Sequence, residues 1–162
     1  MTLRPLPDLG VLKEADAFLQ ASQMLNNSPE SIMSVPTIVN AAFALELYLK
    51  SLNIKWQTQN PSGIGGKKAW LKSRSAVQTG HMPSKLYLAI DKATRDSLEQ
   101  QYLQRFGTNG PKLEKILKEY DGIFQDWRYV FEGHCKSVNM SSLFSILKFF
   151  SEELHALPQR WV

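Results

Sequence analysis

The most restrictive feature of the sequence is a long apolar segment, residues 34–56, whose side chains would make a helix hydrophobic around nearly its whole circumference. Ser34 is a favoured N-cap residue, and Pro36 suits the first helical turn because the N–H that proline lacks would have no partner there. From Thr37 the chain continues as TIVNAAFALELYLKSL. A helix that is apolar on nearly every side has to be enclosed by other elements. The segment therefore predicts the buried central helix of a bundle.

Four other segments have the apolar spacing of helices. Their predicted limits, set by turn residues and by helix-ending glycines, are about 8–25, 83–106, 111–132 and 141–157. No segment shows the sustained two-residue alternation of a strand. A chain of 162 residues is long enough for one hydrophobic core. The sequence predicts an all-α bundle, in a single domain that spans residues 1–162.

Composition and cysteine usage exclude several classes of protein. Hydrophobic residues make up 43% and charged residues 21%, which is ordinary globular composition. Glu46 and Lys50 interrupt the most apolar run, and the segment MTLRPLPDLG lacks the pattern of a secretory signal, so we expect neither a membrane span nor secretion. Cys135 is the only cysteine, which leaves no disulfide framework and fits a reducing cytoplasm. We expect a soluble cytoplasmic protein.

The excess positive charge is concentrated in one part of the chain. Residues 50–85 hold seven basic residues and no Asp or Glu, whereas the rest of the chain is slightly acidic. Residues 57–80 also carry many turn-forming residues, which predicts a long basic loop. Such a loop is either a solvated surface segment or a site that attracts a polyanion. The candidate nucleic-acid contacts are Lys67, Lys68, Lys72, Arg74 and His81.

Glu46 is the one acidic residue of the central apolar segment. An unpaired carboxylate is costly to bury, so we expect a cationic partner. Lys50, four residues later on the same helical face, is the local candidate, and Arg128 is the distant one. The pair is either a structural anchor or part of a functional site.

Residues 126–134 (DWRYVFEGH) contain the most informative group of polar side chains. Arg128 and Glu132 share a helical face by their spacing, whereas His134 would point about 120° away from Arg128 in a straight helix. Gly133 can adopt the left-handed conformation that turns the chain back, so that the two side chains converge. Histidine transfers protons near neutral pH, and arginine neutralises phosphate, which suits RNA cleavage. The alternative is a structural ion pair of Arg128 with Glu132 or Glu46, and a surface histidine.

The other histidines suggest no metal centre. His81 stands where the third helix begins, as a capping or packing residue or as a nucleic-acid contact. The three histidines, His81, His134 and His155, have no metal-ligand spacing, and we expect neither a metal nor another cofactor.

The order of these segments resembles the HEPN superfamily, and more narrowly a group of small bacterial HEPN-like proteins. The resemblance rests on an N-terminal helix, on NAAFALELYLKSL at residues 40–52, on Gly80-His81 before Leu86-Tyr87, and on WRYVFE at residues 127–132. It extends over nearly the whole chain. It implies an up-and-down bundle of four to five helices, usually a homodimer, of the kind found in toxin–antitoxin, phage-defence and RNA-processing proteins.

Many HEPN proteins are metal-independent ribonucleases with an Arg and a His separated by four to six residues, and two such sites meet across the dimer. Arg128 and His134 match this spacing, whereas Tyr129 replaces the polar residue that commonly follows the Arg. In an RNA-cleaving enzyme, His134 would be the acid–base group, Arg128 would bind the phosphate, and Glu46 or Glu132 would orient Arg128. Several HEPN proteins keep the bundle and lack activity, so the alternative is a binding or assembly module for RNA, a nucleotide, or a protein such as an antitoxin.

Overall fold

The computed structural model describes residues 7–30, 33–59, 71–76, 80–133 and 135–157, and it describes the backbone alone at 55–59 and 71–76. Within these ranges the chain folds into seven α-helices and one pair of short strands. The prediction of a mostly helical protein is confirmed. None of the described helices has the length and apolarity needed to span a bilayer.

The first two helices form an antiparallel pair that organises the rest of the fold. Helix α1 spans Leu9–Asn26, and its N-cap residue Asp8 accepts a hydrogen bond from the Val11 amide at 3.0 Å. Helix α2 spans Ser34–Ser51 and contacts α1 along its length. The α2 helix is buried nearly all round, as its apolar circumference predicts, and Glu46 is among its buried residues. It ends at Ser51, five residues before the predicted end, because a strand begins at Ile54.

Five further helices complete the described part of the fold. They are α3 at Pro83–Leu88, α4 at Lys92–Phe106, α5 at Leu113–Glu119, α6 at Ile123–Arg128 and α7 at Met140–Ala156. Helix α2 contacts α3, α6 and α7, while α3 packs on α5 and α4 on α7. All seven helices contribute to one hydrophobic cluster, whose largest fully buried side chains include Tyr48, Phe149 and Phe150.

Two predicted helices are each interrupted, and the prediction of four to five continuous helices is wrong at both places. The predicted helix 83–106 breaks at Asp91, which has an extended ψ of 148° and caps α4 by accepting from the Thr94 amide at 3.0 Å. The predicted helix 111–132 breaks at Gly122, which has a left-handed φ of 81°. After α6 the chain forms only a short 3₁₀ turn, Val130–Glu132. The backbone conformations at Asp91 and Gly122 thus interrupt the helices, although the apolar periodicity continues across both positions.

The segment predicted as a long loop contains regular structure. Strands β1, Ile54–Gln59, and β2, Leu71–Ala76, pair in antiparallel register. The prediction of a loop is therefore wrong for residues 57–59 and 71–76, and residues 60–70 and 77–79 lie outside the described part of the chain. Interstrand backbone hydrogen bonds need no alternation of apolar side chains, and this pairing was therefore invisible to a search for hydrophobic periodicity.

Candidate functional site

A buried carboxylate with two basic partners lies at the junction of α2 and α3. Glu46 has 2% of its surface exposed, and its Oε1 accepts a hydrogen bond from Lys50 Nζ at 2.5 Å. Its second oxygen, Oε2, lies 2.8 Å from Nδ1 of His81. The sequence predicted the Lys50 partner, which is confirmed. The His81 partner was not foreseen, because 35 residues separate it from Glu46 and no local spacing signals the contact.

The carboxylate fixes the orientation of the His81 ring. An ionised carboxylate only accepts hydrogen bonds, so Nδ1 carries the proton that is shared with Glu46. In the neutral imidazole this tautomer leaves Nε2 with a free lone pair. The His81 side chain is 35% exposed, and solvent therefore reaches the ring. The arrangement is a histidine held by a buried acid, with its second nitrogen free of described hydrogen-bond partners.

One aromatic ring, that of Phe124 on α6, connects His81 to Arg128. Phe43 of α2 stacks on Phe124 with ring centroids 5.1 Å apart. The His81 ring centroid lies 5.2 Å from that of Phe124, and Arg128 Cζ lies 5.3 Å from the same point. The imidazole and the guanidinium therefore both contact the Phe124 ring. Helix α6 carries Phe124 and Arg128 on the same face because they are four residues apart.

Arg128 forms neither of the ion pairs predicted for it. Both Glu46 oxygens are taken by Lys50 and His81. Within the described structure Arg128 also forms no ion pair with Glu132, because the α-helix ends at Arg128 and the i, i+4 geometry does not continue. Its guanidinium instead donates from Nη2 to the hydroxyl oxygen of Tyr129 at 2.9 Å and lies over that ring, 5.1 Å from its centroid. Arg128 and Glu132 are both solvent-exposed.

The chain reverses direction after α6, as the glycine at 133 predicts. Gly133 has a left-handed φ of 86°. Beyond it, the Lys136 carbonyl accepts a hydrogen bond from Trp127 Nε1 at 2.9 Å, and Lys136 Nζ donates to the Asp121 carbonyl at 3.0 Å. The segment after Gly133 thus returns to α6, at the residue next to Arg128. His134 itself lies outside the described residues, so its predicted convergence with Arg128 stays a prediction.

Two exposed aromatic side chains, those of Tyr129 and Phe131, follow Arg128 in the chain. Tyr129 is 44% exposed and Phe131 is 80% exposed, and their rings meet edge to face at 6.3 Å. An exposed arginine beside exposed aromatic rings is the composition of surfaces that stack nucleic-acid bases and neutralise phosphates. Phe131 lies within the predicted helix 111–132, but the α-helix ends at Arg128, before it.

The basic residues predicted to bind nucleic acid are described only in part. Lys67 and Lys68 lie outside the described residues. Lys72 and Arg74 lie on β2, opposite Thr58 and Trp56 of β1 in the strand register.

A second polar cluster, partly exposed and formed around Asp16, ties α1, α2 and α7 together. Tyr48 donates to Asp16 Oδ1 at 2.7 Å, and Ser151 donates to the same atom at 3.1 Å. His155 Nε2 lies 2.7 Å from Asp16 Oδ2. Burial and then the Asp16 hydrogen bond raise the pKa of the Tyr48 phenol. Sequence reasoning missed this cluster, since its members come from three helices that only packing brings together.

No group of three or more metal-binding side chains comes together among the residues whose side chains are described. Comparison of the chain with protein-family models, with curated protein sequences and with solved structures finds no match. The resemblance to the HEPN superfamily therefore stays a prediction. Any function proposed for the chain therefore rests on its helical fold and on the chemistry of the site residues.

Proposed function

We propose that this chain is a HEPN-like RNA-binding protein that cleaves RNA without a metal ion. In this proposal Arg128 binds and neutralises the scissile phosphate, and His134 transfers a proton. The protein acts as a homodimer in which two such sites face each other, in a toxin or phage-defence role that an antitoxin or another protein partner restrains.

The observation that carries the proposal is the reversal of the chain at Gly133. Its left-handed φ of 86° and the hydrogen bond from Trp127 to the Lys136 carbonyl return the following segment to the end of α6. In sequence, His134 stands between Gly133 and Lys136. A straight continuation of α6 would instead carry residue 134 away from Arg128, by about 120° around the axis.

The exposed surface beside Arg128 supports RNA as the ligand. The Arg128 guanidinium is held against Tyr129 and Phe124 by its hydrogen bond and ring contacts, which reduces the entropy lost on binding a phosphate. Tyr129 and Phe131 offer rings on which unpaired bases can stack. The exposed rings favour a single-stranded ligand, because bases in a duplex are already stacked on each other.

The test is cleavage of a labelled single-stranded RNA by the purified protein in the presence of EDTA. We expect cleavage by the wild type, and a loss of about 100-fold or more in His134→Ala and in Arg128→Ala. Arg105→Ala is the matched control, because Arg105 lies on α4, where it forms an ion pair with Glu152 and contacts the Phe106 ring. Full activity in His134→Ala would contradict the catalytic assignment. Light scattering of the same samples measures whether the protein is a dimer.

A non-catalytic RNA-binding module is the second candidate function. It is favoured by Glu46, whose two oxygens are taken by Lys50 of the same helix and by His81. It is also favoured by the contact of Arg128 with Tyr129, the position at which the sequence departs from the HEPN ribonuclease pattern. This candidate predicts RNA binding with no cleavage. A binding assay run beside the cleavage assay separates the two functions.

A further inference from the structure

We infer that His81, held by Glu46, is a second acid–base residue of the RNA site. The inference rests on the proposed function and adds the group that accepts a proton from the RNA.

The geometry around His81 is that of an oriented base. Glu46 binds Nδ1 at 2.8 Å and is itself fixed by Lys50 at 2.5 Å. The carboxylate therefore sets the tautomer in which Nε2 has the free lone pair, and it stabilises the imidazolium that forms when Nε2 takes up a proton. The carboxylate is 2% exposed, so water does not compete for Nδ1.

His81 also lies within reach of the same ligand as Arg128. The His81 ring centroid lies 5.2 Å from the Phe124 ring centroid, and Arg128 Cζ lies 5.3 Å from it. The distance between the His81 ring and the Arg128 guanidinium is therefore no greater than the sum of these two distances. This is the scale of one nucleotide and its phosphate. The buried side of His81 lines a crevice together with Pro83, Phe124 and Leu143 among others. This crevice is too narrow to hold a group the size of a water molecule. A ligand therefore approaches the ring from solvent.

The charges around His81 favour an anionic ligand. Glu46 and Lys50 on α2 neutralise each other, and Arg128 on α6 adds a positive charge. Tyr120, which lines the crevice, is neutral at physiological pH, and burial raises its pKa further, to about 12. Arg128, which forms no ion pair within the described structure, is thus the cation available to a phosphate, and Asp126 and Glu132 are the nearest acidic residues to it in the chain.

The proton balance of the reaction gives His81 a specific role. The ribose 2′-oxygen forms a bond to phosphorus while the bond from phosphorus to the 5′-oxygen breaks. Nε2 of His81 accepts the proton of the 2′-hydroxyl, and a second acid, for which His134 is the candidate, gives a proton to the leaving 5′-oxygen. The products are a 2′,3′-cyclic phosphate and a 5′-hydroxyl end, and no water, metal or oxidant enters.

The test compares His81→Asn with His155→Asn in single-turnover cleavage of a single-stranded oligoribonucleotide. Asparagine can keep an N–H donor towards Glu46 and removes the titrating nitrogen. His155 is a matched control, because a carboxylate, Asp16, also holds it at 2.7 Å, on a different part of the surface. We expect His81→Asn to lower the cleavage rate about 100-fold or more and to remove the acidic limb of the pH–rate profile, with RNA affinity within about threefold of wild type. His155→Asn should keep both the rate and the limb.

The outcomes separate this inference from the proposed function. A wild type that does not cleave RNA overturns both. Cleavage by the wild type with an unchanged rate or an unchanged acidic limb in His81→Asn overturns only the inference. A parallel melting curve identifies a merely structural role: in that case a lower rate would accompany a lower melting temperature, and the pH profile would keep its shape. Such a result would also overturn the inference.

Discussion

Glu46 and His81 are 35 residues apart in the chain, and their side chains meet at 2.8 Å where α3 begins. The contact explains how a carboxylate can lie inside an otherwise apolar helix. Burial removes the hydration of the charge, and the hydrogen bonds from Lys50 and His81 replace it. The same contact links α2 to His81, which directly follows the predicted basic loop, residues 57–80, in the sequence.

The burial of Glu46 predicts that its ion pair with Lys50 stabilises the fold more than an exposed ion pair of the same spacing does. We expect Glu46→Gln to lower the free energy of unfolding by about 1–3 kcal/mol, because it weakens two charge-assisted hydrogen bonds to a buried group. Denaturant titration at neutral pH measures this change.

The matched control for Glu46→Gln is Asp96→Asn. Asp96 also pairs with a lysine four residues away, Lys92, but the two side chains are 62% and 80% exposed. Exposed pairs of this kind contribute little, so we expect a change below about 0.5 kcal/mol. Equal losses in the two variants would show that burial does not govern the strength of the Glu46 pair.

Much of the fold could be predicted from the sequence, and the reason is local. The apolar spacing located α1, α2 and α7 to within a few residues, since a helix that packs on a core repeats its apolar side chains every three to four residues. The breaks at Asp91 and Gly122 were missed because the apolar pattern continues across them while the backbone does not.

The site was predictable in composition but only partly in pairing. The sequence pointed to Glu46, Lys50 and Arg128, and i, i+4 spacing was enough to pair the first two. His81 reaches Glu46 only after α3 has packed against α2, and such long-range contacts leave no periodic signal. The position of Arg128 likewise depends on where α6 ends, and helix ends are set by caps that apolar periodicity does not encode.

Four tyrosines predict a loss of stability at alkaline pH. Burial raises the pKa values of Tyr48, Tyr87, Tyr102 and Tyr120 above the ordinary value of 10.0, and it raises that of Tyr120 to about 12. The unfolded chain therefore loses these protons at lower pH than the folded chain does. Their stabilising contribution is complete below pH 10 and is lost as the pH rises from there through the folded-state values.

The variant that tests the alkaline effect is Tyr120→Phe. Each tyrosine that stays protonated only in the folded state contributes a slope of about 1.4 kcal/mol per pH unit. Between pH 10 and pH 12 we expect the free energy of unfolding of Tyr120→Phe to fall less steeply than that of the wild type, by about this amount per pH unit. Below pH 9 the two slopes should agree. A parallel fall above pH 10 would contradict the assignment.

Phe131 should matter for RNA and not for folding. Its side chain is 80% exposed, so we expect Phe131→Ser to change the free energy of unfolding by less than about 0.5 kcal/mol. If a base stacks on the ring, affinity for single-stranded RNA should fall roughly 5- to 150-fold. Fluorescence anisotropy measures the affinity, with a duplex of the same sequence for comparison.

The control for Phe131→Ser is Met24→Ser, which removes another exposed apolar side chain, 69% exposed, from α1. We expect it to leave RNA affinity unchanged. An equal loss of affinity in both variants would mean that general surface hydrophobicity, rather than the aromatic ring beside Arg128, attracts the RNA.

Gly133 should be intolerant of a side chain for reasons of backbone conformation alone. A Cβ at this position would meet no atom within 4 Å, yet the φ of 86° is one that residues with a side chain rarely adopt. We expect Gly133→Ala to lower the free energy of unfolding by about 1–2 kcal/mol, and Gly133→Asn to lower it less, since asparagine tolerates the left-handed region. Gly110→Ala is the control, because Gly110 has no positive φ, and we expect a change within about 0.5 kcal/mol.

If the reversal at Gly133 brings His134 to Arg128, Gly133→Ala should also reduce RNA cleavage by more than Gly110→Ala does. Equal cleavage by the two variants would show that the turn does not assemble the site.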